Sequence, residues 1–253
     1  MLTIDLNCDM GEGFGSWKMG NDAELMNYVT SVNIACGFHA GDPTIMRKTV
    51  ELASGKGLAI GAHPAYPDLQ GFGRRNMSFR PSEIFDFVVY QVGALKAICA
   101  SAGTKLRHVK PHGALYNQAA RSEELAHAVS EAVSSIDEDL ILYGLSGSCL
   151  ISEGRKAGLK TASEVFADRT YQSDGSLTTR SQPDALVSET GIAISQAIQM
   201  IEGGTVTSTN GDLVPLIAET ICIHGDGPNA ITFAASLRDA FRENRIEVRT
   251  ISK

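Results

Sequence analysis

An α/β fold built on a (β/α) barrel, with residues 1–253 as a single domain, is what this sequence predicts, on three observations. Short apolar runs alternate with longer amphipathic stretches along the chain, the pattern of parallel strands joined by crossover helices. The length of 253 residues matches the roughly 250 of a one-domain barrel and is long for a small doubly wound sheet. Polar residues flanked by glycine or proline recur where the strand candidates end. In parallel α/β folds those C-terminal ends converge on one face and build the site.

The elements follow in order. Strands are expected at 2–8, 31–36, 58–62, 106–110, 140–144, 159–164, 219–224 and 246–250. A helix over 43–56 opens with Asp42-Pro43, a cap followed by proline at the first helical position, and ends among Gly55 and Gly57. The next opens at Pro81, with Ile84, Val88, Val92, Leu95 and Cys99 on one face. Ser122 starts another, carrying Leu125, Val129, Ala132, Val133 and Ile136 in register. Residues 184–202 and 228–243 repeat the pattern, the latter burying Ala230, Ala234, Leu237 and Phe241. Residues 205–216, with Asn210-Gly211 at the turn, read as a hairpin. Residues 167–183 have no periodicity and read as an active-site loop; Gly15–Trp17 and Gly71–Asn76 read as mobile rim loops.

Composition excludes several classes. Hydrophobic residues at 43% and charged residues at 20% exclude a disordered or fibrous chain, and a fold of this size buries roughly 72% of its extended surface. The net charge of −7, with no basic block, argues against a nucleic-acid partner. No apolar run nears the ~18 residues of a membrane span, and Asp5 makes the N-terminus unlike a signal peptide; a cytoplasmic globular protein is expected. The five cysteines are dispersed without a C-x-x-C pair and read as buried thiols.

The chemistry-bearing residues sit at the strand ends. Asn7, Asp9 and Glu12 follow the first strand, His39 and Asp42 the second, and His63 the third. Lys110 and His112 follow the fourth, Glu164, Asp168 and Arg169 the sixth, and His224 and Asp226 the seventh. Four histidines at equivalent positions (His39, His63, His112, His224) point to a functional cleft. His108 reads as a strand residue lower in the barrel, His127 as a polar-face residue, and Asp42 as a helix cap. Lys110 is costly to bury without a partner, so it either pairs with Glu164 or Asp9 or orients an anionic substrate. Arg169 suits bidentate carboxylate binding. Gly11-Glu12-Gly13-Phe14-Gly15 is not a dinucleotide fingerprint, and no P-loop spacing occurs.

The segments Asp5-Leu-Asn-Cys-Asp-Met-Gly-Glu-Gly-Phe, Asn33-Ile-Ala-Cys-Gly-Phe-His-Ala-Gly-Asp, Lys110-Pro-His-Gly-Ala-Leu-Tyr-Asn, Glu164-Val-Phe-Ala-Asp-Arg and Cys222-Ile-His-Gly-Asp resemble the lactam-utilisation family over essentially the whole chain. The resemblance implies a distorted (β/α) barrel similar to the glycoside hydrolase/deacetylase superfamily. It implies ATP-driven cleavage of 5-oxo-L-proline to L-glutamate, with Mg²⁺ accompanying ATP and with 5-oxoprolinase subunits B and C as partners. On that implication Asp9, His39, His63, Lys110, His112 and Glu164 are expected to be catalytic. Asn7, Glu12, Asp168, Arg169, His224 and Asp226 are expected to bind substrate. Asp9, His63 or His112 would activate water, and Lys110 or Arg169 would hold the substrate carboxylate or a transferred phosphoryl group.

The superfamily's deacetylases hold a divalent metal with one aspartate and two histidines, for which Asp9, His39, His63 and His112 are the candidates here. Their H-x-x-x-H spacing is absent at His39 and His63, which counts against a bound metal. Two other readings stand beside the lactam one: a metal-dependent deacetylase or amidohydrolase acting alone, and a non-catalytic subunit that binds a small acid.

Overall fold

The computed structural model describes residues 1–223 and 229–251. Ten strands are present among them: β1 (Leu2–Met10), β2 (Ser31–Ala35), β3 (Ala59–His63), β4 (Leu106–Val109), β5 (Ile141–Leu145), β6 (Lys160–Phe166), β7 (Thr205–Thr207), β8 (Leu213–Pro215), β9 (Thr220–Ile223) and β10 (Ile246–Val248). Strands β1 to β6 and β9 pair in parallel, and β9 pairs back onto β1, so seven strands close the barrel. Eight were expected. The last, β10, joins only the start of β1, at Leu2–Ile4, while β9 occupies the next stretch, Asp5–Cys8. This shared flank of β1 is the distortion of the barrel.

The helices are α1 (Asp22–Leu25), α2 (Pro43–Gly55), α3 (Pro81–Ser101), α4 (Gly113–Ala119), α5 (Glu123–Ile136), α6 (Cys149–Lys156), α7 (Thr190–Gly203) and α8 (Ala230–Glu243). Asp42 caps α2, accepting from the amides of Thr44 and Ile45, and Ser122 caps α5 through the Leu125 amide. Helix α3 has a mean hydropathy of 1.4, long and apolar enough to cross a membrane; here its Ile84, Val88, Val92, Leu95 and Cys99 stripe is buried in the core. Helix α7 starts at Thr190 rather than near 184. The backbone of Ala185 and Val187 is instead bonded to Thr170 and Asp168, so tertiary bonds hold this segment extended. Helix α8 starts at Ala230, and Pro228 lies outside the described residues. The hairpin forms as an antiparallel pair of β7 and β8.

Barrel interiors are ordinarily filled by branched apolar side chains. This one is polar. Along β1, Ile4, Leu6, Cys8 and Met10 join the hydrophobic core, while the alternate residues Asp5, Asn7 and Asp9 bond to other strands. Asp5 accepts from Thr30, Ser31, Tyr143 and Thr220. On β3, Gly61 leaves the space that the His108 ring fills, since a Cβ there would overlap His108 Nε2. Burial, and after it the neighbouring Lys110 charge, lowers the His108 pKa to about 3, and its Nε2 donates to Asn33 Oδ1. His108 is thus a neutral interior residue, as its place in the strand implied.

Candidate active site

The site grows from the polar interior of β1 and β2. Asn33 accepts from His108 Nε2 (2.8 Å) and donates to Asn7 Oδ1 (2.7 Å) and Asp9 Oδ1 (2.9 Å). Asn7 donates to Glu164 (2.9 Å) and Thr220 (2.7 Å). Lys110 Nζ enters from the end of β4, 2.8 Å from Glu164 Oε1 and 3.2 Å from Asp9 Oδ1. It also donates to Asn7 Oδ1 (3.2 Å) and Cys222 Sγ (3.0 Å). Burial opposes the Lys110 charge, yet the carboxylates around it hold the ammonium well above its ordinary range. Burial likewise pushes the Cys222 thiol well up, so it stays protonated. Both partners foreseen for Lys110 are therefore present at once.

The histidines form the other half. His63 Nδ1 lies 2.7 Å from the Lys110 carbonyl, and His112 Nε2 lies 2.9 Å from the Phe72 carbonyl. A carbonyl only accepts, so both outer nitrogens carry protons. The inner nitrogens, His63 Nε2 and His112 Nδ1, then face each other at 2.9 Å, with Asp9 Oδ2 at 3.2 Å from the former. Three lone-pair atoms cannot converge without positive charge among them. A proton shared among them, or a cation bound at this point, would satisfy all three. Although burial would raise the Asp9 carboxyl, the His63 and Lys110 charges hold it well below the usual carboxylate range.

His39 stacks on His112, ring centroids 3.7 Å apart, and lies 3.1 Å from Glu12 Oε1 through Nε2, while its Nδ1 is buried without a hydrogen bond. Burial lowers the pKa of both His39 and His112 well below the ordinary histidine value. Glu12, His39, His63 and His112 place four donor atoms within 4.8 Å of one another. Imidazoles and a carboxylate are a donor set for first-row transition metals, and outer N–H groups tied to carbonyls are typical of metal-bound histidines. The residues thus fit a cation, with Glu12 taking the place foreseen for Asp9.

The walls are loops. Residues Gly71–Asn76, expected as a mobile rim, are tied down: Asp68 binds Arg75 bidentately and accepts from the Gly71 amide, and the Phe72 carbonyl receives His112. Arg169 is buried in the loop after β6, its guanidinium donating to the carbonyls of Thr178 (2.6 Å) and Ala185 (3.2 Å). Together these elements enclose a cavity of about 660 Å³, whose wall includes Asp9, Glu12, His63, Lys110, His112, Tyr116, Phe166 and Arg169.

The LamB/YcsF family model matches residues 4–253. This chain belongs to the LamB/YcsF family. Relatives carry the name of the A subunit of 5-oxoprolinase. The one from Bacillus subtilis (strain 168) is 55% identical over 253 residues, covering 100% of this chain and 98% of its own. The one from Bordetella parapertussis is 56% identical over 245 residues, covering 97% of each. The crystal structure of the lactam utilization protein from Thermus thermophilus superposes with a TM-score of 0.93 at 42% identity, covering 99% of this chain and 100% of that one. A protein described as a putative cellobiose-phosphate cleavage protein from Enterococcus faecalis V583 shares the fold alone, at TM-score 0.54 and 15% identity, covering 98% and 97%.

In this LamB/YcsF chain the structure brings Asp9, Glu12, His63, Lys110, His112 and Arg169 to the cavity wall. Asn7 was expected to bind substrate; it is fully buried, and its amide is taken up by Glu164, Thr220, Asn33 and Lys110, so it is scaffold. Glu164 and His39, expected to be catalytic, are also fully buried and off the wall. Glu164 holds Lys110, and His39 backs His112. Asp168, expected to bind substrate, is not on the wall, and its carbonyl anchors Val187. His224 and Asp226 lie outside the described residues. Asn33 and Tyr116 were passed over. The signal for Asn33 was available: Ser31 and Asn33 alternate on β2, in register with Asn7 and Asp9.

Proposed function

We propose that this chain is the ring-opening component of an ATP-dependent 5-oxoprolinase, cleaving the lactam of 5-oxo-L-proline to L-glutamate together with B and C subunits. The names of its relatives support the substrate and an assembly of several chains. The observation that carries the chemistry is the convergence of Asp9 Oδ2, His63 Nε2 and His112 Nδ1 beside the Lys110 ammonium.

Lactam hydrolysis needs a proton removed from water, negative charge stabilised on the carbonyl oxygen and a proton delivered to the leaving nitrogen. Asp9, kept ionised by its neighbours, takes the proton from water as the oxygen bonds to the carbonyl carbon. Lys110 faces the charge that develops on the carbonyl oxygen. His63 Nε2 gives its proton to the ring nitrogen as the C–N bond breaks, and the proton on Asp9 returns to His63. Recyclisation of glutamate is intramolecular, with effective molarities of about 10⁵ M or more for well-oriented groups. Coupling to hydrolysis of ATP to ADP and phosphate would offset this, and because the sequence has no P-loop spacing a nucleotide site shared with or carried by the partners is the simpler arrangement.

The Glu12, His39, His63 and His112 cluster favours a second reading, a metal-dependent hydrolase acting alone. A cation bound there would polarise a carbonyl or lower the pKa of water. One experiment separates the two. Glutamate release from 5-oxo-L-proline is measured for the purified chain with saturating ATP and Mg²⁺, then with both partner subunits added. The expected result is no turnover from the chain alone and turnover with partners and ATP. Full activity from the chain alone overturns the assembly, and release without ATP from zinc-loaded chain establishes the second reading.

A further inference from the structure

Ring opening by Asp9, His63 and Lys110 leaves one buried cation of the cavity wall unused. Arg169 is 4% exposed, yet it lines the cavity. Its Nε donates to the Ala185 carbonyl (3.2 Å) and its Nη2 to the Thr178 carbonyl (2.6 Å). A guanidinium has five N–H donors, so these bonds leave both N–H groups of Nη1 and one of Nη2. Nη1 makes no hydrogen bond and is not sealed inside the protein, so it opens on the cavity. Among the described residues, no carboxylate lies within ion-pair distance of Arg169. Burial lowers its pKa to about 10, and the more distant Asp168 offsets only part of this. A buried cation set on neutral carbonyls alone is costly, and an anion seated on its open edge removes that cost.

Lys110 is the other buried lysine or arginine of the wall, and its charge is already matched. Glu164 and Asp9 lie 2.8 and 3.2 Å from its Nζ, so a permanent carboxylate brought there would meet two others. Arg169 offers the reverse, a positive charge with no carboxylate beside it. The fold also fastens it. Gln196 of α7, which is not on the wall, donates from Nε2 toward the carbonyls of Phe166 (3.2 Å), Ala167 (3.0 Å) and Arg169 (2.9 Å). The Tyr171 hydroxyl accepts the Phe166 amide (2.8 Å). The turn after β6 is therefore set before a ligand arrives, which lowers the ordering cost of binding.

We propose that Arg169 is the carboxylate receptor of this cavity and Gln196 its positioning residue, so that the site takes lactams carrying a ring carboxylate and rejects the same ring without one. The lactam part of that class rests on the ring-opening reading; the receptor rests on Arg169 itself. The free N–H groups of Nη1 and Nη2 form a planar fork that matches the two oxygens of a carboxylate, and one negative charge balances it. Anchored there, the ligand leaves its ring amide for Asp9, His63 and Lys110.

The test titrates the full chain, at constant ionic strength, with 5-oxo-L-proline, with cyclopentanecarboxylate (the carboxylate without the lactam) and with 2-pyrrolidinone (the lactam without the carboxylate). Binding is followed by calorimetry and by ¹⁵N spectra of arginine-labelled chain, the Arg169 signals being those lost in Arg169→Lys. Both acids are expected to bind and to shift the Arg169 guanidinium signals; 2-pyrrolidinone is expected to bind about a hundredfold more weakly than 5-oxo-L-proline and to leave those signals in place. Arg169→Gln is expected to weaken both acids about a hundredfold, Arg169→Lys to recover part of the loss, and Gln196→Leu to weaken both about tenfold, none of them changing 2-pyrrolidinone binding. If Arg169→Gln does not fold, the spectra of the unsubstituted chain and the Gln196→Leu titration decide. Arg169 signals unmoved by either acid, 2-pyrrolidinone binding as tightly as 5-oxo-L-proline, or equal losses for all three ligands overturn the receptor, and unchanged binding in Gln196→Leu removes Gln196 from it. Cyclopentanecarboxylate held at Arg169 without any binding of 5-oxo-L-proline would instead strike the ring-opening reading and keep the receptor, so the two failures are told apart.

Discussion

Asp9 is the residue on which the chemistry converges: Asn33 and Lys110 hold one carboxylate oxygen and His63 faces the other. Asp9→Asn preserves size and the contact to Asn33 but removes the base and the counter-charge for His63. Glutamate release by the reconstituted assembly is expected to fall about 10²–10⁴-fold, the range of a lost general base. The purified variant is expected to keep a folded circular-dichroism spectrum. Near-normal turnover would remove Asp9 from the mechanism. Glu164 presents a different case, because it touches Lys110 and Asn7 but not the cavity. Its carboxylate acts through the placement and charge of Lys110.

At the scale of elements, the rim segment Gly71–Asn76 positions the site as firmly as the strands do. Gly73 has a φ of +64°, and a Cβ there would lie 2.8 Å from His112 Cδ2 and from His39 Cβ. Its carbonyl accepts the Ala114 amide at the start of α4, and its amide donates to the Asp68 carbonyl. Gly73→Ala therefore strains a left-handed backbone and pushes on the His39–His112 stack. The expected outcome is at least about a tenfold loss in kcat, since small displacements of catalytic groups are costly, with a melting temperature lowered by only a few degrees because the change lies on the rim. An unfolded variant, or one with unchanged kcat, would show that this loop does not hold the histidines in place.

The whole molecule carries a pH signature, because its interior buries histidines rather than branched apolar side chains. His39, His108 and His112 all have lowered pKa values, first from burial and then from neighbouring positive charge, with His108 near 3. A histidine whose pKa is lower folded than unfolded contributes stability that is complete above the unfolded value of 6.5. That stability is lost as pH falls, because only the unfolded chain takes up the proton. Each such histidine adds about 1.4 kcal/mol per pH unit to the slope within its window. Denaturant unfolding between pH 7.5 and 5 is expected to show stability falling below about pH 6.5, and His108→Gln is expected to reduce the slope by about one proton. A flat profile would contradict neutral buried histidines.

The sequence by itself determined the family, the order of strands and helices, the Asp42 cap, the hairpin and the neighbourhoods that form the site. Those are local: motif residues are chain neighbours at strand ends, and capping and periodicity act over a few residues. The polar alternation Asp5, Asn7, Asp9 was legible as well, though it marks a polar barrel interior only once the strands are known to face one another. Tertiary structure alone decided that seven strands close the barrel, that Asn7, His39 and Glu164 stand behind the cavity wall, and that His63 meets His112 across 49 residues of chain and Asn7 meets Glu164 across 157. The same holds for Arg74, Arg121, Arg169 and Arg180, which lie scattered along the chain and come to line one cavity. Proximity between segments far apart in sequence is set by packing, and a side chain's charge, tautomer and exposure follow from that proximity rather than from its residue type.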